Sequence, residues 1–230
     1  MAFPAMLRLV ITTSLSIFGI SALSLLPLNA KAQSVILSPV SATASTTTPG
    51  GYEIGNTIDQ SGLSAGFTSG VTSFNTYIAG NPTHTTVAAN FEWFGASSTN
   101  SAVVDYDLGA IYQIDKMALW NEESSGIGLF DLLASVDGTT YASVLSAIAP
   151  PDNPLPPGSY GASIYGFTAV DARYFRLNLS NCPQPIPGNY PSCAIGEVAF
   201  SAVPGPLPAL GAAVGFGYAR RMRKRIQAAS

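Results

Sequence analysis

Residues 173–179 read RYFRLNL, with Phe175, Leu177 and Leu179 alternating against Tyr174, Arg176 and Asn178. A period of two puts one set on each face of a strand. The same short pattern recurs along the chain. Residues 102–108 alternate around Val103, Val104 and Tyr106, and residues 116–120 set Met117 and Leu119 against Ala118 and Trp120. Residues 130–136 (FDLLASV) run through Asp137-Gly138 into residues 139–144, and residues 197–201 close the series. The Asp-Gly pair is the strongest hairpin signal, because glycine accepts positive φ without a Cβ clash. Gly, Pro, Asn and Asp cut the runs, and no sustained helical stripe is present. Such a chain folds as an antiparallel β-sandwich with one core. Its expected limits are residues 55–202. Residues 33–54, which include the Ser/Thr-rich SATASTTTPGG at 41–51, read as a low-complexity lead-in.

Both ends read as addresses. Residues 1–32 carry Arg8, an apolar run broken by Thr12, Thr13, Ser14 and Ser16, and small residues at Ala30 and Ala32. This is a secretory signal helix, cleaved before Gln33. At the other end, residues 203–230 open on Pro204-Gly205-Pro206-Leu207-Pro208, whose prolines lack backbone donors. The short apolar helix expected over residues 209–218 is about 15 Å long, half of a bilayer core. Arg220, Arg221, Arg223, Lys224 and Arg225 follow at once. A basic block beside an apolar run holds that side in the cytoplasm. The tail is therefore a stop-transfer signal or a processing address. It resembles the PEP-CTERM sorting tail of bacterial exosortase substrates, in its cyanobacterial version, with Pro-Gly-Pro standing where Pro-Glu-Pro is usual. The resemblance implies exosortase-type sorting machinery as a partner and transient membrane contact. The mature chain would then sit in the cell envelope or extracellular matrix.

The chain has ten Lys and Arg against thirteen Asp and Glu. Seven of the bases lie in the two ends, so Lys116, Arg173 and Arg176 face thirteen acids in the domain, a balance of −10. A surface that acidic repels phosphate backbones, which excludes nucleic acid as a partner. It suits divalent cations. Arg173 and Arg176 are expected to pair with carboxylates. Cys182 and Cys193, the only cysteines, are expected to form a disulfide in an exported chain.

Four fragments in order carry a second resemblance: NTIDQSGLS (56–64), SAVVDYDLGAIYQIDKMALWN (101–121), LLASVDGTTYASV (132–144) and ARYFRLNLSN…AIGEVAF (172–200). Together they resemble the discoidin, or coagulation-factor type C, domain. The resemblance implies a galactose-binding-like jelly-roll β-sandwich, with a poorly matching stretch at 65–100 and an expanded loop at 147–166. Asp107-Leu108-Gly109 would then end a strand. It also implies a structural calcium ion joining the first turn to the last strand, held by Asp59, Ser64 and Glu197. Without an ion, Asp59 would cap an Asx turn and Glu197 would be solvated.

Three function classes follow. The first is an exported, non-catalytic surface or matrix protein linked to exopolysaccharide. The second is a dedicated carbohydrate-binding module, with Trp93, Phe94 and Tyr190 near the loops. Trp93, in NFEWFGASS, is either a stacking platform or a core residue. The third, a glycan-active enzyme, is disfavoured. His84, the sole histidine, sits in a polar NPTHTT run that reads as surface. Glu122 and Glu123 lie in NEESS, which reads as a solvated turn with side chains on opposite faces.

Overall fold

The computed structural model describes residues 33–153, 158–188 and 190–203. The expected signal segment (1–32) and the expected sorting residues Pro204, Gly205, Pro206, Arg220, Arg221, Arg223, Lys224 and Arg225 lie outside them. The fold is antiparallel β throughout its main sheet, a β-sandwich as the alternation requires.

The most completely buried strand is β10 (Ala194–Val203), buried at nine of its ten positions. A strand buried on both faces needs a partner at each edge and a layer over each side. One edge pairs with β1 (Val35–Leu37), the other with β5 (Ala102–Asn121). The sheet continues through β9 (Ser163–Ser180), β6 (Leu129–Ser135) and β7 (Ala142–Ile148). Two short strands, β2 (Ser41–Ala44) and β4 (Trp93–Phe94), add to β5 and β10 respectively. A separate pair joins β3 (Thr83–His84) to β8 (Tyr160–Gly161).

Alternation along β5 and β10 builds two cores. Met117, Leu119, Val198 and Phe200 face the main core with Tyr106, Phe130, Leu132 and Phe175. The Phe175 and Phe200 rings stack there with centroids 4.5 Å apart. Ala118, Trp120 and Ala199 face the opposite way, into a second cluster with Ile36, Phe74, Tyr77 and Tyr160. That cluster is covered in part by α1 (Phe74–Ala79), capped by Ser73, whose side chain accepts from the Thr76 N–H. The sequence gives no sign of this helix, because six residues are too few to show a 3.6-residue period.

Three expectations need correction. Residues 33–54 are not a loose lead-in, since β1 and β2 lie in them and Ile36 is fully buried. Asp107-Leu108-Gly109 does not end a strand. Gly109, at φ +80°, donates to Asp107 Oδ1 at 2.7 Å, and β5 bends and then resumes its ladder with β9 at Tyr112. Part of the 147–166 loop is ordered as β8 and the start of β9. The arginines behave as charge balance requires. Arg173 grips Asp107 through Nε and Nη2, both at 2.8 Å, and Arg176 grips Asp105 at 2.7 and 3.0 Å.

Cys182 and Cys193 form the disulfide, closing a loop across 11 positions. Closing a loop this short removes unfolded-state entropy worth about 2–3 kcal/mol. Reduction with dithiothreitol is therefore expected to lower unfolding stability by about that amount in a urea titration. An unchanged midpoint would show that the Pro-rich loop orders itself without the bridge.

Candidate functional site

A cavity of about 220 Å³ is lined by Thr48, Tyr52, Val87, Phe94, Ser124 and Tyr190. Strand β4 sets its floor by simple alternation. Trp93 turns into the main core, fully buried, its indole N–H donating to the Thr46 carbonyl at 3.1 Å. Phe94, one residue on, turns the other way and reaches the cavity. Trp93 therefore offers no face to a ligand, which corrects its place among the expected sugar-contacting residues. Phe94 and Tyr190 do meet there, edge to face at 5.6 Å, and Tyr52 stands edge to face with Phe94 at 5.1 Å.

Tyr190 is held in place. The Thr48 hydroxyl donates to the Gly95 carbonyl at 2.7 Å, so at 2.8 Å it accepts from the Tyr190 hydroxyl. Ser125 Oγ donates to the Tyr190 carbonyl. The Tyr190 ring is thus fixed before any ligand arrives.

Behind the wall lies an acidic group, two of whose members, Glu122 and Glu123, are expected from NEESS to be solvated. Glu92 and Glu122 are fully buried and Glu123 is 2% exposed. One carboxylate oxygen from each lies within 4.8 Å of the others. The opposite-face argument fails because β5 ends at Asn121 and the chain bends at once. Asn121 Oδ1 accepts from Ile127 N–H at 2.8 Å, closing a tight turn in which Gly126 has φ +64°. Glu122 accepts from the Ser124 and Ser125 N–H groups at 2.9 and 2.5 Å. Glu123 Oε1 accepts from Val87 N–H at 2.8 Å and Glu92 Oε2 from Ala88 N–H at 2.9 Å. The carboxylates therefore grip the backbone of two cavity-lining residues, Val87 and Ser124. Burial pushes the Glu92 carboxyl up to about 8. Burial first, and then the neighbouring Glu123, push Glu122 well above the usual carboxylate range.

His84 is also buried, not on the surface. It packs between Gly62 and Gly196, where a Cβ on either would collide with His84 or its neighbour Tyr160. Its Nδ1 lies 3.6 Å from Glu92 Oε1 and 3.0 Å from the Tyr160 hydroxyl. Desolvation lowers the His84 pKa and raises that of Glu92, so burial works against an ion pair between them.

The expected calcium residues fall at the first turn and the last strand. Asp59 forms the Asx turn, Oδ1 accepting from Ser61 N–H at 2.8 Å. Ser64 is tied to β3, its hydroxyl accepting from Thr83 N–H at 2.9 Å. Glu197 is fully buried rather than solvated. Its Oε2 accepts from Gln60 N–H at 3.2 Å, while Oε1 is buried without a hydrogen-bond partner. Burial, with the nearby Asp59 charge, raises the Glu197 carboxyl well above the usual range. An orphaned buried carboxylate oxygen beside a second carboxylate fits a hard cation.

Of the residues expected near the loops, Phe94 and Tyr190 line this cavity; Tyr52 and Glu92 are not among those expected, and Glu92 lies just before β4, where no strand pattern marks it.

No family profile and no curated protein sequence matches the chain. Solved structures do. A chitosan-binding module of a chitosanase/glucanase from Paenibacillus sp. IK-5 is 18% identical, with a TM-score of 0.47, covering 71% of this chain and 95% of its own. A pectin-binding carbohydrate-binding module is 17% identical, TM-score 0.47, covering 71% and 91%. A CBM32 module from Clostridium perfringens, in complex with GalNAc-β-1,3-galactose, is 14% identical, TM-score 0.42, covering 70% and 93%.

The buried carboxyls set a pH dependence. A carboxyl raised in the folded state stabilises it below its unfolded pKa and loses that contribution as pH climbs through the folded value. His84, lowered, acts with the opposite sign but only below its ordinary 6.5. Between pH 6.5 and 8, in chelator, the melting temperature is expected to fall with rising pH, and Glu92→Gln to flatten the slope. A flat or rising wild-type profile in that window would show these carboxyls already ionised in the folded chain.

Proposed function

We propose that this chain is an exported, non-catalytic carbohydrate-binding module whose ligand enters the Tyr52–Phe94–Tyr190 cavity. The cavity itself carries the proposal. Three rings supply faces and edges for the C–H surface of a pyranose, and Thr48 and Ser124 complete the lining beside them. At about 220 Å³ it is smaller than the roughly 300–1,000 Å³ of a drug-sized pocket, so it takes one sugar ring rather than a long oligosaccharide. Among the described residues its lining offers aromatics, hydroxyl-bearing side chains and an aliphatic one, the kind of surface that binds a sugar. Carbohydrate is also the ligand class of the modules named above; the proposal stands on the cavity.

A domain at −10 repels polyanions, which favours neutral or amino-sugar polysaccharides over polyuronates. A structural calcium ion held by Asp59, Ser64 and Glu197 belongs to the same proposal, supported by the orphaned Glu197 Oε1. Residues 1–32 support export, and residues 203–230 support sorting by exosortase-type machinery to a surface rich in exopolysaccharide.

Both tryptophans are fully buried, so their fluorescence would miss a ligand. Titration calorimetry with neutral, amino-sugar and uronate oligosaccharides is the appropriate test. Tyr52→Ala is expected to weaken binding of the preferred sugar by about tenfold, the worth of one aromatic contact. Tyr112→Ala, on the exposed part of β5 outside the cavity, leaves it unchanged. Binding by no member of the panel, or equal binding by Tyr52→Ala, would contradict the proposal.

A further inference from the structure

The Glu92, Glu122 and Glu123 group is a different feature from the Asp59–Glu197 pair. Its three oxygens lie within 4.8 Å of one another. Two oxygens each at roughly 2.4 Å from one calcium ion can be at most about 4.8 Å apart, so the spacing fits a shared ion. The N–H groups of Val87, Ala88, Ser124 and Ser125 all donate to these carboxylates, an arrangement that favours the charged form. Independently, Glu123 Oε2 is buried and accepts from nothing.

Positive charge is missing. Among the described residues Lys116, Arg173 and Arg176 are committed to Asp115, Asp107 and Asp105. Buried carboxylates without a cation are held at a large desolvation cost. The donors are all hard oxygens, which excludes preference for a thiolate- or imidazole-seeking metal. They come from two separate loops, a geometry that calcium tolerates and magnesium, with its strict octahedron, does not.

We propose that Glu92, Glu122 and Glu123 bind a calcium ion that ties the loop at 87–92 to the turn at 122–125. The ion sits behind Val87 and Ser124. Where the cavity takes a sugar as proposed above, it fixes two of that sugar's walls; the calcium site itself does not depend on that ligand.

Equilibrium dialysis of the full chain against calcium, after exhaustive chelation, separates the two candidate sites. Asp59→Asn, at an exposed turn, is expected to retain one calcium ion per chain. Adding Glu123→Gln to it is expected to lower the remaining affinity at least tenfold. In chelator, Glu123→Gln melts at or above the wild-type temperature, because a neutral amide costs less to bury beside two other carboxyl groups, and it gains less from added calcium. An Asp59→Asn chain that binds no calcium overturns the proposal, as does a double variant that binds as tightly as Asp59→Asn alone. If Glu123→Gln does not fold, the Asp59→Asn stoichiometry decides.

Discussion

Strand β10 has no face to give to water, and the rest of the domain is arranged around that constraint. Val198 and Phe200 demand the main core, while Ala199 demands cover on the other side. The cover comes from segments that would have little reason to order alone: β1, the six-residue α1 and the β3–β8 pair. Gly196 is a point of close approach on β10, since His84 and Tyr160 press on its backbone where a side chain would stand. The price of this two-sided burial is polar atoms in the interior.

Those atoms set the site. Glu92 precedes β4, which pairs with the start of β10, and the 122–125 turn follows β5, which pairs with the same strand. The disulfide loop returns to that turn, with Gln184 N–H donating to the Ser125 carbonyl at 2.7 Å. Three loops therefore converge where β10 begins. Their outward residues make the aromatic cavity, and their inward carboxylates make the acidic group behind it. The same contacts that fix Tyr190 and Val87 serve both. A cavity built this way is rigid before binding, which lowers the entropy cost of taking a ligand.

What could be read from the chain was local. The alternation of residues 173–179, the Asp137-Gly138 turn, the pairing of the two arginines and the Cys182–Cys193 bridge all follow from neighbours in sequence or from simple charge balance. What could not be read was decided across the fold. Residues 41–44, SATA, alternate only small residues, with Ala42 and Ala44 turned to the core, so the pattern is too weak to stand out, and they become a strand because β5 offers an edge. His84 looks like a surface residue in NPTHTT and is buried because two distant glycines leave room for it. Glu122 and Glu123 look solvated in NEESS and are buried because the disulfide loop closes over their turn. Trp93 and Phe94 differ by one position, and only the pairing of β4 with β10 decides which of them faces the cavity.

The central claim is that these converging loops form one preorganised ligand site. Amide NMR shift mapping of the full chain during titration with its preferred oligosaccharide tests this most directly. The account predicts perturbations concentrated on Thr48, Tyr52, Val87, Phe94, Ser124 and Tyr190, with β6 and β7 unmoved. Shifts gathered instead on β6 and β7, with those six amides silent, would contradict it.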